Sequence, residues 1–308
     1  MKKIISLLLA VLMLASLAAC GSKADTQPAG SAEAAAPADD VDYSSMTLDE
    51  LKAELKTVTD GKLTVATSPD FAPYEFYALD ADGKPTLAGF DMALAQYIAD
   101  ALGLELEVVP MDFDGTISEL GSKSVDLGIA GYSPDPKRES MMNFSDIYYQ
   151  GGQSFVTSAA LADSITSMEV ANDPKCQIGA QVGSIQVDLA KENTPDADIV
   201  ELTKVTDIIA ELLAGSLDGA FIETAVAESY QKNYPDLKIV CDVPYEQEGS
   251  AIGVNKDNAV LLAAVNLIIA QALADGTMDQ FVTDANELAS GSVYEGLLDE
   301  NGNIVDEG

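Results

Sequence analysis

From Lys62 onward, short apolar runs alternate with stretches in which apolar side chains recur every three or four positions. The first pattern is that of strands buried on both faces, the second that of helices laid against them. Lys62–Thr67 predicts a strand. Leu94, Tyr97, Ile98 and Leu102 share one face of a helix that Asp91 caps and Gly103 ends. Residues 105–109 predict a strand, 116–120 a short helix and 126–130 a strand. The order then repeats: strand Gln177–Gln181, helix 185–192, strand 199–202, helix 207–214 closed by Gly215, strand Gly219–Glu223, helix 224–232 and strand 237–241. Two such units in tandem predict an α/β fold of two doubly wound lobes. Ala259–Ala274 is a long apolar-striped helix ended by Gly276, and another helix follows to about Ala289.

The first residues carry a different pattern. Lys2 and Lys3 precede an apolar run over 4–19, too short for a stable membrane span and suited to a secretory signal peptide. The run ends in Leu17-Ala18-Ala19-Cys20-Gly21, which resembles the lipobox of bacterial lipoproteins. That resemblance implies cleavage before Cys20 and a lipid on it, anchoring the chain without spanning the bilayer. The alternative is an ordinary signal peptide with an incidental cysteine. Residues 21–45, rich in Ala, Ser, Gly, Pro and Asp, predict a flexible tether. Residues 46–58 predict a helix, with a capping box of Thr47 and Glu50 and a face of Leu48, Leu51 and Leu55. Residues 291–308 form an acidic tail, expected to fray.

Composition narrows the function classes. The 308 residues include 51 acidic and 16 basic side chains, a formal net charge of -35. Such a surface repels nucleic acid and anionic lipid headgroups, so neither is expected as a partner. There is no histidine, which removes His-based triads and the usual imidazole metal ligands. No metal, cofactor or catalytic residue is expected, and the mature chain is expected to be a monomer. Three cysteines cannot make a disulfide-stapled scaffold.

Ligands of doubly wound sheets sit beyond the carboxyl ends of the strands. Arg138 follows the strand ending at Ala130 through Gly131-Tyr132-Ser133-Pro134-Asp135-Pro136, a turn stiffened by two prolines. Its planar fork suits a carboxylate; the alternative is a surface arginine paired with Asp135 or Glu139. Gly183-Ser184 follows a strand and opens a helix, where free N–H groups favour an anion; the alternative is a plain turn. Glu223 ends an apolar strand, so its carboxylate needs a cation such as an ammonium group, unless it caps the following helix. Phe71 and Phe113 fall in turns and serve either as core lining or as cleft walls. One arginine, one helix N-terminus and one carboxylate together match a zwitterion.

Several ordered motifs then carry a family resemblance. Leu63-Thr64-Val65-Ala66-Thr67-Ser68-Pro69-Asp70-Phe71-Ala72-Pro73-Tyr74-Glu75-Phe76, Gly89-Phe90-Asp91 and Asp112-Phe113-Asp114-Gly115 resemble the polar-amino-acid substrate-binding proteins of ABC importers. So do Val125-Asp126-Leu127-Gly128-Ile129-Ala130-Gly131, Arg138 and Asn143-Phe144-Ser145-Asp146-Ile147-Tyr148-Tyr149. The resemblance runs from about Lys62 to about Val282. It implies the type II periplasmic-binding architecture: a first lobe from 46–152, a second from 153–255, hinge crossings at 153–157 and 251–255, and a return to the first lobe over 256–290. It implies an extracytoplasmic, membrane-anchored binding protein that captures a free, polar L-amino acid and hands it to an ABC permease. Alternatives on the same fold are a dehydratase with Glu223 as proton donor and a ligand-sensing lipoprotein.

By resemblance, Arg138 grips the ligand α-carboxylate with the N–H groups of Ser133 and Ile185 and the Ser184 hydroxyl. The Gly131 carbonyl, Ser133 and Glu223 receive the α-ammonium. Phe71 and Phe113 sandwich the side chain, which Ser68, Gln181 and Gln186 read. Three positions depart from the family pattern: glutamate at 223 where aspartate is usual, Ser68 where glutamine or basic-ligand binders carry aspartate, and Asp135 for a usual threonine. Asp70, Asp135 and Glu223 would still make the cleft acidic enough for a basic ligand. In the family's sheet order the strands of Cys176 and Cys241 are not neighbours, which implies two free, mostly buried thiols.

Overall fold

The computed structural model describes residues 42–80, 82–246, 249–291 and 293–294. The expected signal peptide, Cys20, most of the tether and nearly all of the acidic tail lie outside the described residues. Helix α1 (Leu48–Glu54) is shorter than expected but starts as the sequence requires. Thr47 Oγ1 accepts from the Glu50 N–H at 3.4 Å, and the Glu50 carboxylate accepts from the Thr47 N–H at 2.8 Å. Leu51 is fully buried, and Leu48 and Leu55 pack beside it.

Strand β1 (Lys62–Thr67) leads into a hairpin of β2 (Asp70–Phe71), β3 (Glu75–Leu79) and β4 (Pro85–Ala88). Helix α2 (Phe90–Leu102) ends at Gly103 in the left-handed conformation, as its sequence predicts. Its N-cap, however, is Gly89; Asp91 lies inside the first turn, fully buried. Then come β5 (Glu105–Pro110), α3 (Phe113–Gly121), β6 (Leu127–Tyr132), β7 (Met142–Tyr149) and β8 (Gln153–Ser158). Helix α4 (Met168–Ala171) precedes β9 (Gln177–Gln181), α5 (Ile185–Asn193), β10 (Asp198–Leu202), α6 (Val205–Ala214), β11 (Gly219–Glu223), α7 (Thr224–Asn233) and β12 (Leu237–Asp242). The chain returns through β13 (Ser250–Asn255), α8 (Ala259–Ala274), α9 (Thr277–Ala289) and β14 (Val293–Tyr294).

Ten of these strands form two five-stranded sheets of matching design, and β14, β3, β2 and β4 form a smaller antiparallel sheet of their own. The first runs β5-β1-β6-β13-β7 and the second β10-β9-β11-β8-β12. In each, three parallel strands are followed by one antiparallel strand supplied from across the molecule: β13 in the first sheet, β8 in the second. These are the segments expected to be hinge crossings. Both are six buried residues paired on two sides. The chain changes sheets just before each of them, between β7 and β8 and between β12 and β13. The return to the first sheet therefore starts at Ser250, earlier than residue 256. Helix α8 packs on β7 and α1, and α9 on α2. No single helix among the described residues is long and apolar enough to cross a membrane.

Cys176 and Cys241 are both free and partly buried, more exposed than the sequence suggests. Strands β11 and β8 separate β9 from β12, so the two thiols have no route to a bond within the sheet.

Candidate ligand-binding site

The turn after β6 is a positioning device for Arg138. Asp135 caps a short 3-10 turn over Pro136–Arg138, its carboxylate accepting from the Lys137 N–H at 2.9 Å. This turn folds the arginine inward, to 6 % exposure. The guanidinium carbon lies 5.6 Å from the centre of the Phe113 ring, and Nη2 donates to the Gly183 carbonyl at 2.7 Å. Arg138 belongs to the first sheet's side of the molecule and Gly183 to the second, so this bond spans the cleft. The alternative of an exposed arginine paired with Asp135 or Glu139 does not hold: no ion pair to Arg138 occurs among the described residues. Burial lowers its pKa, against the charges of Asp135, Tyr132 and Asp188. A guanidinium enclosed without a carboxylate costs several kcal/mol, about what an incoming anion would recover.

Two aromatic rings frame this end. Phe113 is the first residue of α3 rather than part of a loop, and packs edge-on to Tyr132 at 5.5 Å. Phe71 sits on the two-residue strand β2, 5.3 Å from Tyr74. Between them Gly131 adopts φ +57°, and a Cβ there would fall 2.9 Å from the Phe71 ring. Only glycine fits both the left-handed backbone and the space. Its N–H donates to Asp91 Oδ2 at 3.0 Å, while Tyr148 donates to Oδ1 at 2.7 Å. Asp91, which looks like a helix cap in the sequence, instead holds the glycine turn in place. Burial raises its pKa to about 6 despite these donors.

The second lobe contributes the turn between β9 and α5. Gly183 has φ +75° and packs against Asp114. Ser184 is the helix N-cap, but its hydroxyl donates to the Gln181 carbonyl at 2.7 Å and caps no N–H. As placed, it offers lone pairs, and the first-turn N–H groups of α5, beginning at Ile185, are the donors that face an anion. Gln186 donates to Gln153 at 2.8 Å, and Gln181 donates to Thr203 O at 3.1 Å and Asp70 Oδ2 at 3.3 Å. Ser133 and Ile185 line a groove of ≈ 670 Å³ beside the arginine turn, with Tyr245 and the acidic Asp135, Asp188 and Glu246.

Glu223 takes the capping role that its sequence allows. It is the N-cap of α7, accepting from the Val226 N–H at 2.9 Å, and it is buried at the chain crossing, accepting from the Gly152 N–H at 3.2 Å. A Cβ on Gly151 would touch both Glu223 Oε1 and the Tyr74 hydroxyl. Burial pushes the Glu223 carboxyl up to about 7, opposed by hydrogen bonds from Val226, Gly152 and Tyr74.

Two further residues join the site that sequence reasoning does not single out. Ser68 Oγ is 3.5 Å from Glu75 Oε1, and Glu75 is fully buried on β3. Its Oε2 and the hydroxyl of Thr67 lack partners of hydrogen-bonding geometry. Burial first, then the charges of Asp91 and Asp70, raise Glu75 well above the usual carboxylate range. Tyr74 is fully buried, its hydroxyl accepting from Ser250 at 3.2 Å, which ties the first hairpin to the returning strand β13. The only available signal was a charge at 75 between the aromatic neighbours Tyr74 and Phe76.

This fold and cleft define a class, and the sequence comparisons place the chain in it. Residues 63–284 match the model of the bacterial extracellular solute-binding proteins, family 3, and the chain belongs to that family. It adopts the type II periplasmic-binding fold. It is 35% identical over 202 residues to the arginine-binding extracellular protein ArtP of Bacillus subtilis (strain 168), covering 64% of this chain and 75% of that one. The amino acid ABC transporter substrate-binding protein AbpA of Streptococcus pneumoniae, solved bound to L-arginine, superposes with a TM-score of 0.72 at 32% identity. That match covers 79% of this chain and 100% of AbpA. The ancestral amino acid-binding protein AncCDT-1, a precursor of cyclohexadienyl dehydratase, gives 0.65 at 30% identity, covering 77% of this chain and 97% of its own.

Proposed function

We propose that this protein captures a free L-amino acid with a cationic side chain in the cleft between its sheets and delivers it to an ABC permease. The observation that carries this reading is Arg138: a buried guanidinium, bonded across the cleft to Gly183 and without an ion pair among the described residues. It takes the α-carboxylate together with the first-turn N–H groups of α5. Glu223 and the Gly131 carbonyl take the α-ammonium. Both Glu223 oxygens already accept one N–H, and a carboxylate has lone pairs to spare for another donor. Phe71 and Phe113 enclose the side chain, with Gln181 and Gln186 on the second lobe.

The preference for a cation rests on Ser68 and Glu75. A carboxyl kept protonated by burial gives up its proton when a guanidinium or ammonium group arrives, and the pair forms where water is excluded. The likeness to arginine-binding relatives supports the same choice. The sheets then move as lobes about the two chain crossings, between β7 and β8 and between β12 and β13, and the permease recognises the closed form.

The rival reading is a dehydratase using Glu223 as proton donor. Glu223 held near neutral pH favours it, but the two N–H groups on its oxygens fix it as a helix cap and hydrogen-bond acceptor. We take the protein to be a binding protein without catalytic residues, monomeric, and anchored outside the cell by a lipid on Cys20.

The test is calorimetric titration with L-arginine, L-lysine, L-histidine, L-glutamine and prephenate, with turnover of prephenate followed in parallel. Micromolar or tighter binding of arginine or lysine, corresponding to about -8 kcal/mol or better, and no turnover is the expected result. Preference for a neutral amino acid would overturn the cationic choice, and prephenate turnover would overturn the binding role.

A further inference from the structure

Asp70 stands on β2, the edge strand of the small antiparallel sheet in the first lobe, yet its carboxylate is engaged by the other lobe. Oδ2 accepts from the Val205 N–H at 2.6 Å and from Gln181 Nε2 at 3.3 Å. The Asp70 main-chain carbonyl also accepts from the Tyr230 hydroxyl at 3.4 Å. Three elements of the second lobe, α6, β9 and α7, therefore converge on one residue of the first. Val205 is the first residue of α6, and Lys204 before it caps nothing with its side chain. The N–H of a first helical residue has no partner within its own helix. Here the partner comes from the opposite lobe, where it also meets the positive end of the helix dipole.

We propose that Asp70 is the closing latch of the cleft, a positioning residue that sets how long the lobes stay shut on the ligand rather than one that touches it. The two groups meet only when the lobes meet, since no hairpin or helix joins β2 to α6. Opening breaks the bonds from Val205 and Gln181 together. The latch acts on release: a ligand enters the open form before the bond exists, and leaves only after it breaks. This assignment rests on the binding function proposed above for its kinetic arm alone.

Two substitutions separate the latch from a structural role. Asp70→Ala removes the acceptor. Val205→Pro removes the donor, and proline is well tolerated at a first helical position, with the extended Lys204 before it already in the conformation a following proline requires (φ -117°, ψ 142°). Small-angle X-ray scattering of the ligand-free proteins and stopped-flow release of L-arginine are measured for wild type, each single variant, the double variant and Asp70→Asn. The expected result is a more open scattering profile or a release rate raised roughly tenfold, the worth of one charge-assisted bond, with the association rate unchanged. The double variant should go no further than Asp70→Ala, and Asp70→Asn should lie nearer wild type. The proposal is overturned if the variants scatter like wild type and release arginine like wild type, or if the two single effects simply add. Should arginine fail to bind, the cationic reading falls and the scattering arm alone decides the latch.

Discussion

At one end of the cleft a guanidinium is buried against an aromatic ring and a carbonyl; at the other, Glu75 and Asp91 bury carboxyls fully with no ion pair among the described residues. Each end alone is an unfavourable arrangement. A buried ion costs several kcal/mol unless it is paired. The protein handles the two costs differently. A guanidinium keeps its charge in proteins, so Arg138 is held by a stiff turn and one bond across the cleft. Burial makes the acids easier to protonate: it raises Asp91 to about 6 and Glu223 to about 7, and lifts Glu75 well above the ordinary carboxylate range. In the proposed function the fixed charge takes an anion and the adjustable one takes a cation.

Breaking the fixed end should have the largest effect. Arg138→Ala should weaken binding of the cognate amino acid by at least ~3 kcal/mol, roughly a hundredfold or more, because a buried ligand carboxylate then has no partner. Titration calorimetry measures it, and near wild-type affinity would remove Arg138 from the site. Breaking the adjustable end should change selectivity more than affinity for backbone groups. Glu75→Gln should cut the preference for L-arginine over L-glutamine by roughly tenfold, the worth of one charge-assisted hydrogen bond. An unchanged ratio would mean that Glu75 serves the fold alone.

The link between the ends is Gly131. Gly131→Ala should cost about 1–2 kcal/mol from the left-handed backbone alone, and more as Phe71 is displaced from a contact of 2.9 Å. Thermal denaturation and arginine affinity should fall together, and an unaffected variant would contradict the close packing. The smallest effect is on pH dependence. Asp91 and Glu223 have pKa values raised above their ordinary 3.8 and 4.5. The folded state therefore binds protons more tightly than the unfolded one. Stability is full below about pH 4 and is lost as pH rises through 6–7. The melting temperature of the ligand-free protein should fall between pH 5 and pH 8, and Glu223→Gln should flatten that slope. A slope unchanged by the substitution would argue against the raised Glu223 value.

The fixed end was far more legible in the sequence than the adjustable one. Prolines at 134 and 136 precede Arg138 and announce a rigid turn after a strand, and Gly183-Ser184 announces a helix N-terminus. Both signals are local, because turn chemistry is written in the residues that make the turn. The acids are not legible in this way. Glu75 owes its burial to the packing of the hairpin against α2 and β6, and a charge within a short strand is ordinarily solvated. Asp91 has the spacing of a helix cap, and only the return of Gly131 and Tyr148 from distant strands gives it another task. Glu223 shows the same ambiguity: the structure has it as a helix cap, and its ammonium role is the one proposed. The sheet exchange was hidden for a related reason: strands 153–158 and 250–255 are recognisable as segments, but which sheet each joins is a property of the sheet order.

Arg138 is proposed to grip the ligand α-carboxylate. That grip is tested by titrating wild type and Arg138→Ala with L-arginine and with agmatine, the same molecule without its carboxylate. Wild type should bind arginine at least a hundredfold more tightly than agmatine, and Arg138→Ala should bind the two with nearly equal weak affinity, because the partner and the group it recognises are then both gone. If Arg138→Ala still favours arginine over agmatine by the wild-type factor, the carboxylate is held elsewhere and the proposed clamp is wrong.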